Sequence, residues 1–442
     1  MADFTPHTDA DVAAMLAFCG LDSIEELFVA VPQAIRLATG SLAIADGLSE
    51  PDTLARMQEL ADANSVGRDL VCFAGGGAYD HDVASVVRRV AFRAEFVTAY
   101  TPYQPEVAQG VLQALFEYQT MVARLAGLPI ANASLYDGAT ATVEAANLAV
   151  AATGDNEVLV SEGVNPRYRE VLATMAAGTG HRITPVPLGP DGTTAWGDTS
   201  PGAVIVQYPN YLGVIEDLAA ARAAGALLIV VADPVSAGLL RSPGELGADV
   251  VVGEGQVFGT PLSFGGPYVG LFACRQELVR RLPGRLVGQT VDTEGRTAYV
   301  TTLRTREQDI RREKASSNVC TNQTLIAVCF AIQLGWLGTS GLGELALQCA
   351  RGTRYTREAV LAIDGVVPVT TGPTLREFAV RTPIDAVTLV ERMAEAGFLA
   401  GIPISPADMT GADGSGLLIA VTERRTRPEI DAYAAALEKV IR

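Results

Sequence analysis

The chain has 442 residues, 49% of them hydrophobic, with a mean hydropathy of +0.24. That is enough for one large domain and a smaller one around an extensive core. A formal net charge of −17 argues against nucleic acid or an anionic membrane surface as partner. Positive charge is almost all arginine, because the sequence holds two lysines, Lys314 and Lys439. The six cysteines are scattered, without a CxxC pair or a histidine at ligand spacing, so no metal site is expected and they read as reduced thiols of a cytoplasmic protein. The first residues lack the apolar core of a signal peptide, and no apolar stretch reads as the ~20 residues of a membrane span.

The first 95 residues read as a helical segment. Thr8 with Asp11, Ser23 with Glu26, and Ser49 with Asp52 each fit the start of a capped helix. A glycine run, Gly75-Gly-Gly77, then suits a tight turn and lacks the spacing of a nucleotide-binding fingerprint. Tyr100-Thr-Pro-Tyr-Gln-Pro105 is extended and proline-stiffened; its tyrosines suit either packing or a pocket wall. A long helix follows, with Val107, Val111, Leu115, Tyr118, Val122 and Leu125 at helical spacing and Gly127 as its C-cap.

From about 130 to 275, apolar strands alternate with helical patterns. Strands are predicted at 157–160, 203–207, 227–232, 250–252 and 269–273. Several are continuous apolar runs, as expected where helices cover both faces of a sheet. The fold class is therefore α/β, with a three-layer domain over 96–340 and a mostly parallel sheet. Strands at 377–381 and 417–422, with helices at 385–397 and 427–442, predict a small α+β domain over 341–442.

Asp137-Gly-Ala-Thr-Ala-Thr142 opens the next helix. Its small residues would suit a phosphate, but the carboxylate of Asp137 would stand where the phosphate goes, which favours a plain N-cap. The strand Leu227–Ala232 ends in Asp233, and a second strand runs into Gly253-Glu-Gly-Gln256. In pyridoxal-phosphate (PLP) enzymes an aspartate so placed pairs with the pyridinium nitrogen, and the segment after the second strand carries the lysine that binds the cofactor covalently. Here that position holds Gln256, whose amide cannot form an imine. Asp233 equally suits the end of a strand before Pro234. The run Arg311–Thr324 mixes basic groups with short hydrogen-bonding side chains and suits an anion, such as a cofactor phosphate presented across an interface.

Longer motifs carry a resemblance to a known family. They include Gly77-Ala-Tyr-Asp-His81, Tyr100-Thr-Pro-Tyr-Gln-Pro-Glu106, Phe116-Glu-Tyr-Gln-Thr120, Ala131-Asn-Ala-Ser-Leu-Tyr-Asp-Gly-Ala-Thr140, Gln207-Tyr-Pro-Asn210, Gly265-Gly-Pro267, Thr305-Arg-Glu-Gln308 and Arg312-Glu-Lys-Ala-Ser-Ser-Asn-Val-Cys-Thr-Asn-Gln323. The chain resembles glycine dehydrogenase (decarboxylating), the P-protein family of the glycine cleavage system, in the form where a separate first subunit replaces half of one long chain. The triple glycine and Asp82-Val-Ala84 are slightly looser than the family pattern. The resemblance implies a fold-type I PLP transferase-like architecture and an assembly of α2β2 type. It implies a lysine-bearing second subunit that binds PLP, so that Asp233 and Gln256 mark a vestigial cofactor site here. It further implies glycine as substrate, which loses CO2 and passes its aminomethyl group to the lipoyl arm of H-protein. Under that reading Tyr100, Tyr103 and Gln104 are candidates for a substrate channel, and Thr321 and Asn322 for contact with a cofactor phosphate across the interface. Two alternatives stand beside it: a structural partner subunit without site groups, and an independent PLP enzyme using Lys314.

Overall fold

Runs of Val, Ile and Leu form the centre of the molecule. In the computed structural model, which describes residues 6–37, 43–64, 70–98, 101–197, 201–405 and 416–442, they build a seven-stranded sheet. Its strands are β1 (Ile130–Ala131), β2 (Glu157–Ser161), β3 (Arg182–Val186), β4 (Ala203–Tyr208), β5 (Leu227–Ala232), β6 (Val250–Glu254) and β7 (Gly270–Cys274). The order is β3-β2-β4-β5-β6-β7-β1, and only β7 runs antiparallel to its neighbours. The expected mostly parallel α/β sheet is present, with 269–273 as its reversed strand. Side chains alternate between two cores. Val204, Val206, Leu228 and Val230 face the Gln109–Ala126 helix and Phe330, whereas Ile205, Ile229, Val250 and Val252 face the Gly138–Thr153 helix. Each such side chain contributes about 1.5–3 kcal/mol on burial.

The C-terminal strands read from sequence form part of a second sheet. Val367–Pro368, Glu377–Arg381, Gly416–Ala420 and Ile402–Ile404 form a four-stranded antiparallel sheet in that order. Helices Ala386–Glu395 and Arg427–Ile441 cover it through Leu389, Met393, Ile430, Tyr433 and Leu437. The helix Thr324–Leu361 connects the domains and is interrupted at Gly338, where φ is +62°. Its length and apolarity match those of a membrane-spanning helix, which corrects the expectation that no stretch reaches that length. Gly335, Gly338 and Gly341 disguise the run in sequence, and Ala327, Phe330, Leu334, Leu342 and Ala346 pack it into the core.

The chain divides into two compact units, Met1–Ser65 and Val66–Arg442. The first unit therefore ends earlier than the 95-residue segment read from sequence. The reason lies in Val71–Cys72, which pairs in parallel with Phe398–Leu399, and in Phe73, whose ring stacks 4.0 Å from that of Tyr433. These residues belong to the core of the small domain. Within the first unit, Thr8 and Asp11 form a reciprocal capping box at helix Asp9–Cys19, and Ser49 caps helix Glu50–Asp62. The start at Ser23 yields only the 3₁₀ turn Ile24–Phe28, because Pro32 follows too closely for a helix to propagate.

Candidate functional site

The ends of β5 and β6 deliver Asp233, Glu254 and Gln256 to one place, and the loop Gly75–His81 and the small-domain strand Glu377–Arg381 close over them. Gln256 is fully buried. Its Oε1 accepts from the Tyr79 N–H at 2.9 Å, and its Nε2 donates to the Tyr79 and Thr260 carbonyls at 3.1 and 2.8 Å. Both amide hydrogens are thus used, one holding the loop through Tyr79 and the other closing the turn to Thr260. Gln256, read from sequence as standing at the anchor position, is a structural tie in the folded chain.

The loop can come this close because its residues are glycines. A Cβ on Gly75 would lie 2.4 Å from both Ala420 Cβ and Glu377 Oε1, and Gly77 has φ +119°. Gly76 N–H donates to Glu377 Oε1 at 2.7 Å, and the Tyr79 hydroxyl donates to Glu377 Oε2 at 2.7 Å. Burial pushes the Glu377 carboxyl up, against the pull of the adjacent Arg376 cation.

Asp233 is not left facing a vacant pocket. Its Oδ2 lies 2.7 Å from Arg376 Nε, and its Oδ1 accepts from the Val235 N–H at 3.0 Å. Arg376 Nη1 lies 2.7 Å from His81 Nε2, and His81 Nδ1 lies 2.6 Å from Glu423 Oε2. A guanidinium has only donors, so Nε2 accepts and the ring proton sits on Nδ1, directed at Glu423. Burial is the largest single influence on Glu423 and raises its carboxyl, but the His81 hydrogen bond and charge and the backbone N–H groups of Asp82 and Glu423 together outweigh it and hold the carboxyl below its ordinary range. His81, Cys349 and Glu423 bring ligand atoms within 4.8 Å of one another, yet both ring nitrogens of His81 are already engaged.

The helix N-terminus at Asp137 is also filled. Asp137 Oδ1 caps Thr140 N–H at 2.7 Å, as a plain N-cap would. Glu254 Oε2 accepts from Gly138 N–H at 3.0 Å, and its Oε1 accepts from Gln256 and Val269 N–H at 2.9 and 3.1 Å. Burial pushes the Glu254 carboxyl up to about 8 despite these amides. The cavity left among Tyr79, Tyr168, Asp233, Glu254 and Arg376 measures about 40 Å³. Small-molecule sites usually have about 300–1,000 Å³. The residues present in this chain do not fit PLP: Gln256 cannot form an imine, the aspartate is spent on an arginine, and the space has room for no more than a few waters.

A second cluster gathers three of the other candidates. Arg285 is buried and donates through Nη1 to Asn322 Oδ1 at 2.8 Å and through Nη2 to the Cys320 carbonyl at 3.1 Å. The Tyr103 hydroxyl lies 3.5 Å from Arg285 Nη2, and both Arg285 and Arg304 sit over its ring. Tyr136 Oη accepts from the backbone of Cys320 and Thr321, which fixes the start of this segment. Gln104 is exposed beside a hollow of about 850 Å³ lined by Phe96, Thr101, Pro102, Tyr103, Gln104 and Val107, among others. Tyr100 lies outside the described residues. Lys314 is exposed on the turn Arg312–Lys314 and does not line the Asp233 cavity. Sequence reasoning missed Arg376, Glu377, Glu423 and Arg285, since each meets its partners only through long-range folding. Glu254, two residues before Gln256 at the end of an apolar strand, carried a signal: a lone carboxylate at the close of a buried run.

The comparisons agree with this geometry. The profile of the glycine cleavage system P-protein family matches residues 2–437. A probable glycine dehydrogenase (decarboxylating) subunit 1 of Moorella thermoacetica is 47% identical, with 99% of each chain covered. One of Desulforamulus reducens is 43% identical over 98% of this chain and 99% of its own. The crystal structure of a glycine decarboxylase (P-protein) of the glycine cleavage system, in inhibitor-bound form, superposes with a TM-score of 0.92 at 43% identity, covering 99% of this chain and 100% of the other. The fold alone is shared with Lactobacillus brevis glutamate decarboxylase, at a TM-score of 0.64 and 14% identity over 93% and 96% of the two chains, which places the architecture among fold-type I PLP enzymes. The chain belongs to the P-protein family of the glycine cleavage system, and it aligns end to end with the family's subunit 1 members.

Proposed function

We propose that this chain is the cofactor-free half of a cytoplasmic two-chain glycine decarboxylase, paired with a lysine-bearing subunit 2 that carries PLP. The observation that supports this reading is the buried, fully hydrogen-bonded Gln256 at the anchor position, above a cavity of about 40 Å³. The naming of the relatives as subunit 1 supports a second chain. Bound to that partner, PLP would supply an electron sink for loss of the glycine carboxylate as CO2. The remaining aminomethyl group passes to the oxidised lipoyl arm of H-protein.

The contribution of this chain is to position and enclose. Arg285 ties Asn322 to Tyr103, which lines the hollow with Gln104, and Tyr136 holds the backbone at Thr321. That rim offers amide, phenol and guanidinium groups to an anion presented by the partner, such as a cofactor phosphate or a glycine carboxylate. A charged rim also orders the substrate before reaction, which is where positioning contributes to rate.

The test is glycine–bicarbonate exchange with H-protein, measured for this chain, for subunit 2 and for the two together. The reading expects activity only in the mixture. Tyr103→Phe and Asn322→Ala should then lower turnover of the reconstituted enzyme about 10- to 100-fold, as loss of a substrate-orienting group does, without dissociating it on a sizing column. Wild-type kinetics in both variants would leave this chain a purely structural partner.

A further inference from the structure

The vestigial cofactor site carries charge in a specific arrangement. Asp233 stands at the end of β5, where PLP enzymes keep a carboxylate for the pyridinium nitrogen. Its partner here is Arg376, whose Nε lies 2.7 Å away and whose side chain is 4% exposed. The guanidinium carbon sits 3.5 Å from the centre of the Tyr79 ring, a planar cation stacked on an aromatic face. His81 accepts its Nη1, and Glu423 fixes His81 in turn. On the far side, Glu254 takes the first amide of the Gly138–Thr153 helix, the group that a phosphate would otherwise use. An unpaired buried arginine would be expensive, and here Asp233, with Glu377 beside it, supplies the compensating charge. The arginine and the aspartate are therefore matched to each other as parts of the folded core.

We infer that Arg376 is a built-in substitute for the pyridinium of PLP, so that this site is closed from within and the missing lysine is only one of two barriers to cofactor binding. The inference rests on the reading that the partner chain carries PLP and deepens it. Two features support a second barrier. The cation already occupies the carboxylate, and the remaining space is far below that of a cofactor pocket. A lysine at 256 would still find acceptors in the Tyr79 and Thr260 carbonyls, so Gln256→Lys alone leaves the second barrier in place.

The test uses the full chain purified with subunit 2. Gln256→Lys and the double variant Gln256→Lys/Arg376→Ala are incubated with PLP and reduced with borohydride. Label on position 256 of this chain is then quantified by peptide mass mapping. The expectation is no label above background in the single variant and at least about tenfold more in the double, the equivalent of one decade in binding. Equal labelling of both variants would mean that only the lysine was missing; label in neither would mean that Arg376 is not the obstacle, and either result overturns the inference. If the double variant fails to fold, the Gln256→Lys chain decides alone. Added pyridoxamine phosphate, which needs no lysine, must leave its Tm unchanged, and an upward shift overturns the inference. Whether subunit 2 carries PLP is read separately, from label on its own lysine, so that failure of that reading and failure of this one are distinguishable.

Discussion

At the scale of single residues, Glu254 shows how the site has been reorganised. It accepts three backbone amides in a buried position, and burial pushes it up to about 8 from an ordinary 4.5. Between those values the folded chain keeps a proton that the unfolded chain has lost. Stability from this group is whole below about pH 4.5, falls as pH rises, and is gone above about pH 8, at a rate of up to about 1.4 kcal/mol per pH unit. Glu254→Gln should lower stability at every pH, since its amide nitrogen would face the Gly138 N–H. It should also flatten the difference between denaturation midpoints at pH 5 and pH 8; an unchanged pH slope would show that Glu254 is not the titrating group. Asp233 and Gln256 were legible in the sequence because each closely follows an apolar strand. Arg376, Glu377 and Glu423 were not, because nothing local marks them: His81 meets Glu423 342 residues away and Tyr79 meets Glu377 298 residues away.

At the scale of elements, the central strands were readable because burial on both faces writes itself as unbroken Val/Ile/Leu runs. The exception is instructive. β3, Arg182-Ile-Thr-Pro-Val186, escaped notice because it contains a proline and polar residues. It is the edge strand of the sheet, the one place where a proline is tolerated. The hairpin Leu286–Val291 with Thr297–Thr302 escaped for the same reason, since exposure leaves it rich in threonine and without a strong apolar pattern. The Gly75–His81 loop was read as a tight turn, but sequence did not reveal that it seals a site. Gly75→Ala should cost about 1–3 kcal/mol by overpacking against Ala420 and Glu377. The urea midpoint should fall with no change in m, and an unaltered midpoint would mean that the loop has slack.

At the scale of the whole molecule, the second unit contains both the sheet and the site around Asp233 and Gln256, and the first is a separate compact unit. Neither helix of that first unit buries a side chain, and Phe18, Val29, Ile35 and Leu54 are exposed. Apolar side chains so exposed within that unit suit contact with another chain. A chain starting at Val66 should therefore keep the melting behaviour of the second unit while binding subunit 2 more weakly, by about tenfold or more in a titration. Unimpaired binding would remove the first unit from the interface. The architecture followed from composition and pattern because a large core dictates it, whereas the proposed division of labour between two chains turns on three positions, Asp233, Gln256 and Arg376, that meet only in the folded chain. The measurement that tests this most directly is the absorption spectrum of the purified chain with PLP, taken alone and then with subunit 2. The account predicts a colourless chain that becomes part of a yellow complex. A yellow chain on its own would contradict it.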